Sequence, residues 1–379
     1  MTRIPESIVQ DPALQSVFDA IESDGHRAWL VGGAVRNALL GEPVVDLDLA
    51  TDALPDAVMR LARAAGLKPV PTGIDHGTVT VVADGRGFEV TTLRRDVETD
   101  GRRAVVAFSD DLAQDARRRD FTMNAMYADR EGRVIDPVGG LDDLRARRLR
   151  FVGDPARRIA EDYLRILRFF RFLARHRLDA DPAAVTACAA LRDGLDAISR
   201  ERIGQEMRKL LAAPDPVPAV RLMEKTGVLG KVLPGATPDR LGALPSPAPW
   251  LARLAALSQA DLTDALRLAR TDARDHRTLA TALAEDWSFN RIAYCLRGDL
   301  ADAAAALVQT GPSGPRDGWA KAQAAARPLP ISAADLQPDL RGAALGRGLK
   351  AAEQAWIKAG FALSAPALID IALTAGETA

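Results

Sequence analysis

The chain has 379 residues, of which 47% are hydrophobic and 27% are charged, with 50 Lys and Arg against 51 Asp and Glu. This balance is typical of a globular protein and excludes a disordered or collagen-like chain. Cys188 and Cys295 are far apart without zinc-binding spacing, and no run approaches the ~18 apolar residues of a membrane span. We therefore expect a cytoplasmic protein, not bound to a membrane, with two or more domains and no disulfide framework.

The first predicted elements are short and alternate between strand and helix. Residues 28–31 form an apolar run that predicts a strand, and the pair Gly32-Gly33 predicts a turn. A helix is predicted over residues 34–40, with Gly41 at its end. Residues 46–50 are predicted to form the next strand.

The same alternation continues to about residue 145. A helix is predicted over residues 55–65, and residues 78–82 and 88–93 are predicted strands of a hairpin around Asp84-Gly85. Residues 94–103 have no periodicity and are predicted to be a mobile loop, with a solvated hairpin connection as the alternative. Later residues are rich in Ala, Leu and Arg, so the fold class is α+β, with a small mixed sheet followed by helices.

An arginine-rich segment begins where the helical part begins. Between residues 145 and 177 there are eleven arginines and only three acidic residues. A segment of this charge is typical of a surface that binds polyanions. A solvated helix face explains an isolated arginine cluster equally well.

Two carboxylates stand close to a glycine turn. Asp46 and Asp48 are two positions apart on a predicted strand, so both side chains leave the same face and can bind a hard cation such as Mg²⁺. Gly32-Gly33 precedes a predicted helix, where backbone N–H groups can approach phosphate oxygens, and Arg36 follows one turn later. Either feature alone is weak evidence for a site that binds a metal ion and phosphate, but the combination is specific.

Four ordered segments resemble the class II tRNA nucleotidyltransferase and bacterial poly(A) polymerase family. The first combines residues 30–41 (LVGGAVRNALLG) with residues 46–51 (DLDLAT). The others are residues 118–125 (RRDFTMNA), 136–140 (DPVGG) and 161–171 (EDYLRILRFFR). These matches extend over about 140 residues, from the predicted strand at residue 28 to the arginine-rich segment.

The resemblance implies a domain organisation, a reaction and its partners. It implies a polymerase-β-like nucleotidyltransferase head at residues 1–145, an all-helical neck with a nucleotide-selecting helix at 146–215, and a helical body and tail that bind tRNA at 216–379. The implied reaction adds C, C and A from CTP and ATP to the 3′ end of the tRNA acceptor arm, with Mg²⁺ as cofactor and release of pyrophosphate.

The resemblance also assigns residue roles. Asp46 and Asp48 would bind magnesium, and Glu89 on a neighbouring strand would be a third carboxylate beside the attacking 3′-hydroxyl. Asp120 and Asn124 would brace the site. The residues assigned to the nucleotide are Gly33, Arg36, Arg119, Asp162, Arg165, Arg168 and Arg171.

Asp162 and Arg165 are three positions apart on a predicted helix and would be neighbours on its surface. A carboxylate can accept from the amino group of cytosine or adenine while a guanidinium donates to the ring acceptors, whereas uracil and guanine present the reverse pattern. The family resemblance therefore implies selection of CTP and ATP without a template. An isolated Asp/Arg pair of this spacing is equally well explained as an intrahelical ion pair.

Three alternatives remain open. A poly(A) polymerase shares all four segments, although the basic C-terminal extension common in such enzymes is not found in residues 369–379. The family loop that corresponds to residues 94–103 is associated with the switch from C to A addition, which favours full CCA synthesis over a partial CC- or A-adding enzyme. A catalytically silent RNA-binding protein would not need Asp46 and Asp48. One departure from the family pattern is Asn37, which stands where Asp is usual.

Overall fold

The computed structural model describes residues 2–100, 103–309 and 317–377. This described chain divides into two compact units. The first unit comprises Met1–Arg202 with Lys225–Lys231, and the second comprises Ile203–Glu224 with Val232–Ala379. No helix in the described ranges is both long and apolar enough to cross a membrane.

The described residues of the first unit contain a mixed sheet, as the sequence predicts, and seven of their strands form it. All described strands of the unit are β1 (Ala28–Val31), β2 (Leu49–Thr51), β3 (Lys68–Gly73), β4 (Thr78–Ala83), β5 (Arg86–Thr92), β6 (Arg94–Asp100), β7 (Arg103–Phe108), β8 (Tyr127–Ala128), β9 (Val134–Ile135), β10 (Arg148–Leu149) and β11 (Asp179–Ala180). Among them, β6 pairs only with β7, and β10 only with β11, in two separate small sheets. The sheet order is β3-β4-β5-β2-β1-β8-β9, in which β2 and β5 are parallel and the other neighbours are antiparallel.

The helices alternate with these strands and then dominate the chain. Those within the first unit are α1 (Glu6–Val9), α2 (Pro12–Glu22), α3 (Gly33–Leu40), α4 (Pro55–Ala64), α5 (Leu112–Arg117), α6 (Gly140–Arg145), α7 (Pro155–Glu161), α8 (Leu164–His176) and α9 (Pro182–Ala190). Unit boundaries fall inside α10 (Arg200–Leu211), α11 (Val217–Lys225) and α12 (Val228–Val232). Those within the second unit are α13 (Trp250–Leu257), α14 (Thr263–Leu266), α15 (Arg270–Ala284), α16 (Phe289–Cys295), α17 (Gly298–Gln309), α18 (Trp319–Ala325), α19 (Gly342–Lys358) and α20 (Ala365–Glu377). Short 3₁₀ turns cover Ile74–His76, Thr122–Asn124, Arg192–Ala197, Leu241–Ala243 and Ala333–Leu336.

The local predictions that position the site are confirmed. All four residues of β1 are buried, as a continuous apolar run requires. Helix α3 follows at once and ends at Leu40, and the next residue, Gly41, has a φ of 69°. The β4–β5 hairpin turns through Asp84 and Gly85, both of which have positive φ.

Three sequence predictions about secondary structure were wrong. The predicted strand at residues 46–50 begins only at Leu49, so Asp46 and Asp48 lie in the irregular segment before β2. The predicted loop at residues 94–103 is largely strand, because β6 and β7 pair antiparallel, while residues 101 and 102 lie outside the described ranges. The neck is not entirely helical, since β10 and β11 form a short parallel pair.

The second unit is helical in its described residues and has an apolar core of its own. Leu336, Leu340, Trp356 and Leu368 are buried in one cluster. Helices α19 and α20 supply most of this cluster. Burial of these side chains is the main contribution that holds such short helices in place.

Candidate active site

A cavity of about 420 Å³ lies in the first unit, at the turn from β1 into α3. Its lining brings together Asp48 and six of the seven residues predicted to contact a nucleotide, together with Asp120, Asn124, Phe172 and Arg202. The six are Gly33, Arg36, Arg119, Asp162, Arg165 and Arg168. Asp46, Glu89 and Arg171 lie outside this lining.

The glycine turn forms part of the cavity wall. Gly32 has a φ of 64°, in the left-handed region that favours glycine. Its N–H donates to the carbonyl of Met126 at 3.2 Å, and its carbonyl accepts from the N–H of Arg36 at 3.0 Å. These bonds attach the start of α3 to the segment before β8 and leave Gly33 in the cavity wall.

The acidic residues form one electrostatic group at this end of the sheet. Burial, together with the charges of Glu89 and Asp46, raises the pKa of Asp48 to about 6 against the opposing charge of Arg119. Glu89 is exposed on β5, the strand that pairs with β2. Among the described residues, no group of three His, Cys, Asp or Glu side chains is arranged closely enough to hold a metal ion. Carboxylate oxygens are the ligands that a divalent cation such as Mg²⁺ prefers, and a nearby cation would offset the mutual repulsion of Asp48, Glu89 and Asp46.

Arg36 is buried in the cavity wall and is held by amides. Its Nε and Nη2 donate to the side-chain oxygen of Asn37 at 3.0 and 2.8 Å, and its Nη1 donates to that of Asn124 at 2.5 Å. Burial lowers the pKa of Arg36 to about 10, which still leaves it charged at neutral pH. Asn37 therefore accepts from the guanidinium in the geometry that the usual Asp would offer.

Phe172 of α8 is a flat surface for three guanidinium groups. The guanidinium carbon of Arg171 lies 4.3 Å from the ring centre, that of Arg36 lies at 5.1 Å and that of Arg168 at 5.7 Å. Cation–π contacts of this kind stabilise clustered positive charge. Arg171 thus belongs to the arginine cluster even though it lies outside the cavity lining.

Asp120 connects two of these arginines, as the sequence predicts for a bracing residue. Its carboxylate accepts from Arg168 Nε at 2.8 Å and from the Asn124 amide at 3.0 Å. Burial opposes its ionisation, but Arg168 and these hydrogen bonds hold its pKa below the ordinary range. Because Asn124 in turn accepts from Arg36, one chain of hydrogen bonds orients Arg168 and Arg36 together.

Arg119 is oriented by a residue that sequence reasoning missed. Asp115 is 1% exposed and accepts from Arg119 Nη2 at 2.8 Å and from the Tyr127 hydroxyl at 2.7 Å. Burial of Arg119 opposes its charge, but Asp115 keeps the pKa of the guanidinium raised. The signal available in the sequence was the helical i,i+4 spacing of Asp115 and Arg119.

The predicted helical pairing of Asp162 with Arg165 was wrong. Asp162 lies between α7 and α8 in an extended conformation, with a φ of −156°, and its carboxylate caps the backbone N–H of Leu164 at 3.1 Å. Arg165 pairs with Glu161 at 2.6 Å instead. Both Asp162 and Arg165 still line the cavity.

Arg202 is the residue that holds Asp162. Its Nη2 donates to Asp162 Oδ2 at 2.7 Å, across 40 positions of the chain. Arg202 also lines the cavity. No local pattern links two residues so far apart in the sequence, so sequence reasoning missed it.

Comparisons with known proteins match two regions of the chain. Residues 28–150 match the poly A polymerase head domain, and residues 178–239 match the probable RNA and SrmB-binding site of polymerase A. The CCA-adding enzyme of Geobacillus thermodenitrificans is 40% identical over 242 residues, which is 63% of this chain and 57% of the relative. Residues 28–150 therefore belong to the poly A polymerase head-domain family.

Further relatives are similar over different lengths. Human mitochondrial CCA tRNA nucleotidyltransferase 1 is 41% identical over 54% of this chain and 50% of the relative, so the chain spans about half the length of the curated relatives it matches. The crystal structure of the Bacillus stearothermophilus CCA-adding enzyme with CTP matches with a TM-score of 0.73 at 29% identity, over 92% of this chain and 94% of that one. The Thermotoga maritima CCA-adding enzyme complexed with tRNA matches with a TM-score of 0.70 at 18% identity, which supports the fold alone.

Proposed function

We propose that the chain is a template-independent tRNA nucleotidyltransferase that adds C, C and A to tRNA 3′ ends from CTP and ATP. The observation that carries this proposal is the cavity in which Asp48 faces a cluster of oriented arginines. Anionic and cationic groups on one cavity suit a reaction between a metal-bound triphosphate and a hydroxyl. The similarity to relatives named as CCA-adding enzymes supports this choice of substrate.

The carboxylates form the metal-binding part of the proposal. Asp46 and Asp48 would hold Mg²⁺, which supplies positive charge that neutralises the triphosphate and the departing pyrophosphate. The raised pKa of Asp48 supports this role, because burial and the charges of Glu89 and Asp46 disfavour its ionisation when no cation is bound. Glu89 would lie beside the attacking 3′-hydroxyl as a third carboxylate.

The arginines form the phosphate-binding part. Arg36, Arg119 and Arg168 line the cavity and are each fixed by hydrogen bonds, so they would bind phosphate oxygens without further ordering. The backbone at Gly33 can approach the same phosphates. Arg171 would add positive charge from its position over Phe172.

Base selection is the third part. Asp162 and Arg165 would read the hydrogen-bonding edge of cytosine or adenine. Asp162 is fixed by Arg202 and Arg165 by Glu161, which supports a rigid reading surface. A surface fixed before the nucleotide binds can reject UTP and GTP, because donors and acceptors on their base edges would face groups of the same kind.

Domain roles and location complete the proposal. We infer a catalytic head at residues 1–145, a neck at 146–215 and a tRNA-binding body and tail at 216–379, with partial support from the RNA-binding match at residues 178–239. The free thiols of Cys188 and Cys295 support a reducing compartment such as the cytoplasm. The relative from human cells is named as mitochondrial.

A poly(A) polymerase is the second candidate, because the matching head domain carries that name. Partial CC or A addition would use the same cavity. A silent RNA-binding protein is disfavoured, since such a protein has no use for a poorly compensated carboxylate like Asp48 beside fixed arginines.

The test is nucleotide incorporation by the full chain into a tRNA transcript that lacks its 3′ CCA. The four nucleoside triphosphates are supplied together with Mg²⁺, one of them labelled in each reaction, and Asp46→Ala is compared with Asp142→Ala, a control whose side chain is 84% exposed. We expect incorporation of C and A but not U or G, lost in Asp46→Ala and kept in Asp142→Ala. Incorporation of all four nucleotides, or of none, would overturn the proposal.

A further inference from the structure

Asn37 uses both ends of its side-chain amide. The oxygen accepts from Arg36 Nε at 3.0 Å and from Arg36 Nη2 at 2.8 Å. The nitrogen donates to the carbonyl of Pro43 at 3.0 Å. An aspartate could make the first pair of contacts but not the last one, because a carboxylate has no N–H to donate.

The position of Asn37 connects the arginine to the segment that carries the acidic residues. Helix α3 ends at Leu40, and the backbone carbonyl of Asn37 accepts from the N–H of Glu42 at 2.9 Å. The side-chain bond to Pro43 extends this attachment by one residue, and Asp46 follows three positions later. One residue thus contacts Arg36 and also anchors the irregular segment that leads to Asp46 and Asp48.

Neutral side-chain amides hold the buried guanidinium of Arg36. Arg36 is 9% exposed, and its side-chain hydrogen bonds go to the neutral amides of Asn37 and Asn124. Within the described residues, Arg36 forms no ion pair with a carboxylate, although the charges of Glu42 and Asp120 favour its charged form. A buried guanidinium held by neutral acceptors keeps its full charge for an anion that enters the cavity.

We propose that Asn37 is a positioning residue that orients Arg36 while leaving its charge available to the triphosphate, and that anchors the segment before Asp46. This inference rests on the proposed function and deepens it. Aspartate, the usual residue of the family pattern, would place a negative charge beside the guanidinium and would compete with phosphate for it. This chain therefore presents one more net positive charge to the triphosphate than the usual pattern does.

The test compares Asn37→Asp, Asn37→Ala and a matched control in the full chain. The control is Asn290→Asp, because Asn290 also donates to a backbone carbonyl, that of Ile357 at 3.2 Å, but does not line the catalytic cavity. Titration calorimetry measures the Kd values of inorganic pyrophosphate, CTP with Mg²⁺, and CMP. A purely structural role would alter all three Kd values together.

We expect Asn37→Asp to raise the Kd of pyrophosphate and CTP roughly 10-fold, with a change below about 3-fold for CMP. Asn37→Ala removes the hydrogen bonds to Arg36 and Pro43 without adding charge. It should therefore raise the Kd of pyrophosphate less than Asn37→Asp does. Asn290→Asp leaves all three Kd values unchanged. Equal pyrophosphate affinity of wild type and Asn37→Asp, or an equal effect of Asn37→Ala, would overturn the inference.

The outcome is separable from that of the proposed function. If pyrophosphate binding responds as expected but no nucleotide is added to tRNA, the role of Asn37 in anion binding is supported and the proposed reaction is refuted. If nucleotide addition proceeds but the Kd of pyrophosphate does not change in Asn37→Asp, the proposed reaction is supported and the proposed role of Asn37 is refuted. Failure of the wild-type chain to bind pyrophosphate would overturn the role of Asn37 as well.

Discussion

Asp120→Asn tests how the arginine cluster is held. The substitution keeps the shape of the side chain but removes the charge that faces Arg168, and it replaces one acceptor oxygen with a donor. Arg168 Nε, the Asn124 amide and the N–H of Phe121 all donate to the carboxylate of Asp120 in the wild type. Loss of this acceptor therefore disturbs Arg168 directly and Arg36 through Asn124.

The expected loss of stability follows from burial. Removing one partner of a buried ion pair costs about 3–5 kcal/mol, and partial solvent screening reduces this cost. Asp120 is buried but the side chain of Arg168 is 33% exposed, so we expect roughly 2–3 kcal/mol. For a unit of this size the corresponding fall in Tm is roughly 5–10 °C. Because folding holds the pKa of Asp120 below its ordinary value, the difference is full at pH 7 and disappears as the pH falls below about 4.

Asp143→Asn is the matched control. Asp143 is also fully buried and accepts from two arginines, with Nε of Arg148 at 2.9 Å and Nε of Arg150 at 2.8 Å, but it does not line the cavity. Calorimetric melting gives both Tm values, and titration below the melting range gives the Kd of CTP. We expect both variants to melt earlier, but only Asp120→Asn to weaken CTP binding, by roughly 10-fold or more. Equal CTP affinities of the two variants, or an unchanged Tm for Asp120→Asn, would refute this reasoning.

Two further predictions concern residues at the edge of the site. Arg202→Ala removes the 2.7 Å bond to Asp162, so the preference of kcat/KM for CTP over UTP should fall roughly 10-fold while Tm changes little; an unchanged preference would contradict the role of Arg202. Burial, with the charges of Arg36 and Arg175, lowers the pKa of His176 to about 4. The unfolded chain therefore binds a proton near pH 6.5 that the folded chain does not, and stability should fall as the pH drops from 6.5 to 4. His176→Gln should flatten this part of the Tm profile against pH, and a profile identical to that of the wild type would count against the shift.

The parts of the fold that the sequence predicted are those fixed by local patterns. Gly32 and Gly41 stand at the two ends of a helix because glycine adopts positive φ easily. Asp84-Gly85 is a strong hairpin signal. The cavity residues could be predicted because several stand in short motifs around these turns. The resemblance to a family supplied the rest of their grouping.

The errors came from features that local patterns do not control. Asp162 was placed on a helix by spacing, but its carboxylate caps the N–H of Leu164 and interrupts the helical run between α7 and α8. Arg202 contacts Asp162 across 40 positions, a contact that only the folded chain creates. The β6–β7 pair was missed because the charged sequence of β6 lacks the alternation that marks a half-buried strand.

The most direct test of the proposed CCA addition is the length and identity of the added sequence. The full chain is incubated with CTP, ATP, Mg²⁺ and a tRNA transcript lacking its 3′ CCA, and the 3′ ends are read at single-nucleotide resolution. We expect addition of C, C and A and then arrest. A long run of A on this tRNA and on unrelated RNA would contradict it and identify a poly(A) polymerase, and arrest after CC would identify a partial enzyme.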